Sequence, residues 1–389
     1  MKKNNFIENL TTEQKDLSLY IHVPFCESRC HYCDFCSSVI KEDMVDKYFN
    51  CLFKEIKLYT NFLKNKNIVS IFIGGGTPSS VKSKYIIKTI EIINDFSSIV
   101  KDAEITVEMN PNSASSDKIK DYLNAGINRF SIGAQSFNDC LLKKIGRIHT
   151  KKDILTCIDL LKNADVKNFS LDLMSGLPSQ RLRDVKESIK YVDFLKPNHI
   201  SFYSLILEKG TYLYDNSEEY NFPDEVLDRQ MYHFICKELE NLNYHQYEIS
   251  NFAQDGYESV HNLRYWKLKN YLGLGMSSHS NIDNTRFWNT SDFGDYFNFI
   301  NSKNTAVANF ETLSKKDRLN EYIMMGLRLN EGLDISYIDE KFRIEFLKEY
   351  KNSIEKNIDL HLIHIDKDNL KLTNKGKDLC NKVELDFFK

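Results

Sequence analysis

The 389-residue sequence predicts an α/β fold: a partial (β/α)6 barrel of parallel strands, followed by a smaller helical, winged-helix-like C-terminal domain. Three observations predict it. Over roughly the first 200 residues, short β-branched runs alternate with segments of helical periodicity. Residues able to do chemistry gather at the C-terminal ends of those runs. The last part of the chain is helical in pattern and carries a hairpin signal near its end.

An N-terminal extension, 1–17, precedes the first run, SLYIHVPF (18–25). IVSIFIGG (68–75), EITVEMN (104–110), INRFSIGAQ (127–135), NFSLDLMSG (168–176) and HISFYSLI (199–206) follow. They read as continuous apolar strands of a parallel sheet covered on both faces. Segments 44–64 and 183–196 between them place apolar residues at three-and-four spacing, as amphipathic helices do. Six βα units in series imply right-handed crossovers and a barrel over 18–206. The run ends carry PFC, GGGTP, EMNP, GAQSF and SGLP. In a parallel barrel, ligand chemistry is built on that rim. A polar break near 207–223 opens a barrel extension, 207–301, with a helix over 225–242 and an aromatic stretch over 244–253. A second break, 302–316, opens the C-terminal domain, 302–389, whose hairpin HLIHIDKDNLKLT turns at DKDN. No basic stripe marks that domain as a nucleic-acid reader, so it reads as a packing or lid element.

Composition narrows the function classes. Apolar residues are 42% and aromatics 12%, enough for a sizeable core and too many for a disordered chain. The charge is balanced, 52 basic against 55 acidic for a net −3, which excludes binding driven by phosphate attraction. No uncharged apolar stretch reaches transmembrane length. MKKNNFIENL lacks the apolar h-region of a signal peptide, so a cytoplasmic protein is expected. A homodimer and peripheral membrane docking are left open by the sequence.

Four of the nine cysteines, Cys26, Cys30, Cys33 and Cys36, fall within eleven residues. An odd count and a tight cluster point to a metal site in a reducing compartment rather than to disulfides. Cys26-x3-Cys30-x2-Cys33 puts three thiolates on one short loop, which suits three irons of a [4Fe–4S] cluster and leaves the fourth iron open. The alternative is zinc, completed by Cys36 or His31, but no second ligand pair stands at the distance zinc sites use. Cys36 and the five isolated cysteines read as small apolar side chains.

The run YIHVPFCESRCHYCDF resembles the cluster loop of radical S-adenosylmethionine (SAM) enzymes, and specifically of the oxygen-independent coproporphyrinogen III oxidase family. IFIGGGTPSS, VEMNP, RFSIGAQSF, GRIHT, LDLMSGLP and MGLRLNEGLD continue the likeness in order over nearly the whole chain. The resemblance implies a [4Fe–4S] cluster on Cys26, Cys30 and Cys33, and SAM held on the open iron and reductively cleaved there. It implies SAM contacts at Tyr20, Gly75, Gly76 and Thr77, with Glu108 for the methionyl ammonium and Arg147 for the carboxylate. Gln135 and Asp172 would meet the ribose hydroxyls.

Within that family the oxidases resemble C-x3-C-x2-C-x-C, whereas this chain reads C-x3-C-x2-C-x-F, with Phe35 at the last position. That pattern, the short arm before Tyr20 and HNLRYW at 261–266 are similar to HemW-type heme chaperones. The likeness implies heme as a ligand, with His261 offering an imidazole to iron and Tyr265 and Trp266 offering flat faces, and heme-accepting proteins as partners. YLGLGMSSHS departs from the family's small-residue form at Met276 and Ser278, which leaves His279 without an assigned role. Three readings follow: a heme chaperone on a radical SAM scaffold, a coproporphyrinogen III oxidase, or another radical SAM enzyme such as a methyltransferase or heme-opening enzyme. The SAM residues are common to all three, so they do not decide whether the chain is an enzyme. Phe35, the short arm and HNLRYW favour the first.

Overall fold

A computed structural model describes residues 6–388, so the first five residues of the predicted N-terminal extension lie outside the described residues. Six strands run parallel in chain order: β1 (Asp16–Val23), β2 (Asn67–Gly75), β3 (Ser98–Met109), β4 (Arg129–Gln135), β5 (Phe169–Ser175) and β6 (His199–Ser204). They match the six predicted runs. The sheet also grows at both edges. Antiparallel β7 (His245–Glu248) and β8 (Asn251–Ala253) extend it beyond β6. On the other side β9 (Tyr271–Leu274) pairs parallel with β1, and β10 (His279–Ile282), β11 (Thr285–Asn289) and β12 (Val307–Thr312) follow antiparallel. The order is β12-β11-β10-β9-β1-β2-β3-β4-β5-β6-β8-β7, an unclosed twelve-stranded sheet.

The strands are not apolar on both faces. In β1, Leu17, Leu19, Ile21 and Val23 are buried in the apolar core, while Ser18, Tyr20 and His22 carry side-chain hydrogen bonds. In β3, Ile105, Val107 and Met109 enter that core, and Glu104, Thr106 and Glu108 take the alternate positions. β4 repeats the rule with Phe130, Ile132 and Ala134 against Arg129, Ser131 and Gly133. The strands therefore alternate with period two, apolar toward the helices and polar or small toward the barrel interior. This corrects the continuous-apolar reading. The polar members are mostly small or aromatic, so the runs look apolar until their parity is counted.

The apolar face is covered by α1 (Glu42–Leu58), α2 (Ser83–Phe96), α3 (Ser116–Asn124), α4 (Asp139–Lys144), α5 (Lys151–Asn163), α6 (Leu182–Leu195) and, after the short α7 (Tyr212–Asp215), α8 (Glu225–Asn241). Ile86, Ile90 and Ile93 of α2 and Ile154, Ile158 and Leu161 of α5 are buried at three-and-four spacing, as amphipathic helices on a sheet require. α9 (Val260–Trp266), which carries the HNLRYW motif, enters the lower barrel interior, and α10 (Phe293–Asn298) packs on α1.

The C-terminal part has an apolar cluster of its own, running from Leu319 to Phe387. α11 (Lys315–Leu327), α12 (Ile335–Phe342), α13 (Lys351–Asp359) and α14 (Cys380–Phe387) pack there with a small sheet of β13 (Leu333–Asp334), β14 (Ile363–Asp366) and β15 (Asn369–Leu372). The β14–β15 hairpin turns where DKDN predicts it. Among the described residues no helix is long and apolar enough to cross a membrane.

One buried carboxylate joins α1 to the β9 side. Glu55, fully buried, accepts from the Gly275 N–H (2.8 Å), the Tyr296 hydroxyl (2.6 Å) and Asn289 Nδ2 (2.6 Å). Two turns earlier in α1, the Tyr48 hydroxyl donates to the His22 carbonyl at 2.7 Å and so holds the end of β1. Gly275 has a φ of +95°, and a Cβ there would meet the Tyr48 hydroxyl at 2.3 Å, so no other residue fits. Burial pushes the Glu55 carboxyl from 4.5 up to about 7. The folded chain thus holds a proton that the unfolded chain releases, and this group's contribution to stability falls as pH rises from about 4.5 to about 7. Glu55→Gln is expected to flatten that part of the stability–pH curve. Glu55→Ala, which leaves buried donors unpaired, is expected to cost about 3 kcal/mol in urea unfolding at pH 7.

Candidate functional site

The cysteine loop leaves β1 at Pro24 and returns at Ile40. Two backbone bonds close its neck, Ser38 N–H to the Pro24 carbonyl (2.8 Å) and Ile40 N–H to the Cys26 carbonyl (3.0 Å). His31 anchors its far side. Its N–H donates to the Ile145 carbonyl, its own carbonyl accepts from Leu213 of α7, and its ring lies 4.3 Å from that of Tyr212. Nδ1 of that ring is 3.2 Å from the Lys144 carbonyl, so His31 is an anchor and its ring is turned away from the cysteines.

Cys26, Cys30 and Cys33 line one cavity of about 440 Å³ at the C-terminal end of the parallel strands. All three thiols are free. Cys26 Sγ accepts from the Thr77 hydroxyl at 3.5 Å and Cys30 Sγ from Arg147 Nη1 at 3.4 Å. Burial, with the neighbouring Cys30 and Cys26 sulfurs adding to it, pushes the Cys33 thiol up to about 11. Three sulfurs on one wall form a donor set that a cationic metal centre would stabilise as thiolates. Cys36 is different: it donates to the Ser291 carbonyl at 3.5 Å and does not line the cavity.

The second wall is the strip Gly74–Gly76 at the end of β2. Gly75 has a φ of +107°, and a Cβ there would strike the His22 ring at 2.4 Å. A Cβ on Gly76 would meet the Val23 carbonyl at 2.7 Å. Gly75 and Gly76 therefore put no side chain between the end of β2 and the cavity. Gly75 N–H donates to Glu108 Oε2 at 3.1 Å.

Two carboxylates stand across from that strip. Glu108 is pushed up to about 8 by burial and by the nearby Asp172, against the opposing pull of the Gly75 N–H and Arg129. Asp172 is also raised by burial, and it accepts from the Ser131 hydroxyl at 2.9 Å. Arg147 reaches the cavity from beyond β4. Its Nη2 donates to Asn110 and, at 2.6 Å, to the Gly133 carbonyl, and its Nε donates to His149 Nδ1 at 3.2 Å. With one Nη1 hydrogen on Cys30, a single one of the five guanidinium donors is left for a ligand. His149 Nε2 lies 3.1 Å from the Ala134 carbonyl, so Nε2 carries the proton and Nδ1 accepts from Arg147.

Of the sequence-predicted contacts, Gly75, Gly76, Thr77, Glu108, Gln135, Arg147 and Asp172 line this cavity together with the three cysteines. Tyr20 and His261 do not. Tyr20 lies one layer lower and donates its hydroxyl to His22 Nδ1 (3.0 Å), while His22 Nε2 donates to the Cys36 carbonyl (2.8 Å), so Tyr20 reaches the cysteine loop only through His22.

His261 lies lower still, tilted against the Phe72 ring and almost fully buried. Ser70 donates to Ser18 (2.7 Å), so its oxygen accepts from His261 Nδ1–H (3.0 Å), and the Tyr265 hydroxyl donates to Nε2 (2.8 Å). Both ring nitrogens are engaged, and burial holds the ring neutral by lowering its pKa to about 3. The expected imidazole ligand is thus built into the barrel floor, because the helix that carries it is anchored there. Glu104 accepts the backbone N–H groups of Val260 and His261 at 3.0 and 2.9 Å. His279 is exposed and stacks on Trp288, and Met276 is core.

Sequence reasoning missed Arg129, His149, Asn110 and Tyr203. Arg129 is 1% exposed, and its Nε faces Glu104 Oε2 at 3.8 Å, an ion-pair contact too long for a hydrogen bond, so that among the described residues Nε has no hydrogen-bond partner. An arginine inside a β-branched run at the parity of Ser131 and Gly133 was the available signal.

Comparison with known proteins agrees with this arrangement. Residues 20–192 match the Radical SAM superfamily, and residues 313–379 match the HemN C-terminal domain. The chain is 36% identical over 369 residues to the heme chaperone HemW of Bacillus subtilis, covering 94% of this chain and 97% of that protein. It is 33% identical to the heme chaperone HemW of Lactococcus lactis, covering 95% and 97%, and 38% identical to that of Buchnera aphidicola from Schizaphis graminum, covering 94% and 97%. The coproporphyrinogen III oxidase HemN of Escherichia coli shares the fold, with a TM-score of 0.86 at 21% identity over 97% of this chain and 91% of that one.

The geometry generates one direct prediction. Cys26→Ala, Cys30→Ala and Cys33→Ala are each expected to abolish the iron content and visible absorbance of the reconstituted protein, and Cys36→Ala to retain both, as read by iron analysis and absorbance.

Proposed function

Because the chain belongs to the HemW family of heme chaperones within the radical SAM superfamily, we propose that it binds heme and passes it to acceptor proteins, on a scaffold that holds a [4Fe–4S] cluster and SAM. The observation that carries this reading is likeness to heme chaperones over nearly the whole chain, joined to a Phe rather than a Cys at position 35. The residues present fit the cluster and SAM. Three free thiols share one wall, and the adjoining glycine strip has no room for a Cβ.

Cys26, Cys30 and Cys33 would hold three irons, leaving the fourth for SAM. When bound, the cluster supplies one electron to SAM. Gly75, Gly76 and Thr77 let the methionyl end approach the backbone. Glu108 takes its ammonium, and the remaining Nη1 hydrogen of Arg147 takes its carboxylate. Asp172 and Gln135 hold the ribose hydroxyls. Glu108 lies near 8 without its ligand, so meeting a cation favours its ionised form and binding releases a proton near neutral pH. A reducing cytoplasm would keep the thiols free for this role.

SAM affinity, measured by equilibrium dialysis of the cluster-loaded protein, is expected to rise with pH up to about 8, as Glu108 ionises. Glu108→Gln is expected to weaken it about tenfold or more and to remove that slope. The coproporphyrinogen oxidase reading separates cleanly from the chaperone. Anaerobic incubation of cluster-loaded protein with reductant, SAM and coproporphyrinogen III is expected to give no decarboxylated porphyrinogen, while heme binds with a defined Soret band. Repeated turnover to protoporphyrinogen would overturn the chaperone reading.

A further inference from the structure

The inner wall of the cavity is polar and rich in glycine, but its mouth is not. Phe35 is 61% exposed, Ile206 69% and Tyr203 42%, and all three line the same cavity with Met174 and Leu205. Single apolar side chains on a surface are ordinary. Several converging on the rim of one concavity form a patch that calls for an occupant.

Both segments that carry the patch are held in place. Phe35 precedes Cys36, whose carbonyl is fixed by His22. Ile206 lies between Leu205 and Leu207, which pack on the small cluster of Leu141, Ile145, Met174, Leu177 and Leu213, and the Leu205 N–H donates to the Ser175 carbonyl at 2.9 Å. The exposure therefore belongs to the built structure.

A cavity of about 440 Å³ is of the size that one cofactor-sized ligand fills. With the cluster and SAM inside, a further ligand meets the protein at the rim. The chemistry there asks for a broad, flat, apolar body. Arg29, Asp34 and Glu208 are the charged side chains of the rim. Among the described residues Arg29 has only a 3.5 Å contact to the Cys33 carbonyl, so its guanidinium is available to an anionic edge group, and the two acids turn such a group toward it. The barrel floor offers no such place, since both nitrogens of His261 are engaged there.

We propose that heme is received at the cavity mouth, its ring against Phe35, Ile206 and Tyr203 and a propionate toward Arg29, and not on His261. This rests on the heme-chaperone reading. Among the described residues lining the cavity none is a histidine, so the ring is held by its faces and one edge, and no iron–imidazole bond has to break when heme is handed on.

The test is a Soret titration of hemin into the cluster-loaded, SAM-saturated chain. Phe35→Ser and Ile206→Ser are each expected to weaken heme binding about tenfold, and the double variant about a hundredfold. SAM affinity and cluster absorbance should be those of the wild type. Arg29→Glu should weaken heme binding further, with a salt dependence opposite in sign to that of the wild type, because salt then screens a repulsion. His261→Gln, verified as folded by its thermal melt, should keep the wild-type affinity and Soret position. Wild-type heme affinity in the double variant, with cluster and SAM intact, would overturn the proposed seat. So would loss of the Soret band in folded His261→Gln. Absence of heme binding by the wild-type chain would overturn the chaperone reading itself, and the seat with it.

Discussion

The parity of the parallel strands is the constraint on which the rest of this structure depends. Each strand from β1 to β6 buries one set of alternate side chains under the helices and turns the other set into the barrel. The outward set contributes stability, about 1.5–3 kcal/mol for each large side chain fully removed from water. The inward set contributes little of that, and must find hydrogen-bond partners instead. Ser18 with Ser70 and His261, and Ser131 with Ser170 and Asp172, are how it does so. A one-residue slip of any strand would exchange the two sets and remove both core and site together.

Register then sorts the interior into layers. Tyr20 pairs with Phe72, and Phe72 with Thr106, and Thr106 with Arg129, so successive strands present their inward residues at related heights. At the bottom, α9 closes the barrel with its first N–H groups on Glu104. At the top, the inward positions are Gly74, Glu108, Gly133 and Asp172, where small residues leave room and acids provide charge. Arg129 stands between the two levels and lowers the carboxyl pKa values of both Glu108 and Asp172. Burial alone would neutralise acids so deeply placed. The Gly75 N–H at Glu108 and the Ser201 and Ser131 hydroxyls at Asp172 oppose that burial, and Arg129 adds to them.

The cysteine loop shows how local and distant chemistry combine. Its three ligand positions come from spacing within the loop, but its orientation comes from elsewhere. Thr77 and Arg147 meet its sulfurs, while Ile145, Tyr212 and Leu213 hold its far side. The rim that flanks it is apolar because Phe35 and Ile206 leave two separate segments at one edge of the cavity.

The sequence by itself determined the six parallel strands, the rim at their C-terminal ends and the three-cysteine loop, whereas the seven other cavity residues from Gly75 to Asp172 were legible only through the family resemblance. The first three features are local: strand runs, turn residues and short spacings are set by neighbours in the chain, and the rim follows from connectivity. Only the tertiary structure decided the fate of Tyr20 and His261, the burial of Arg129, and the addition of β9 beside β1. Each of these depends on contacts between residues far apart in sequence, such as Ser70 with His261 or Glu104 with Val260. A histidine offers the same imidazole to a serine, a tyrosine or an iron, and composition is silent on which comes within reach. Packing settles it, because the helix that carries His261 is capped by a carboxylate at the barrel floor.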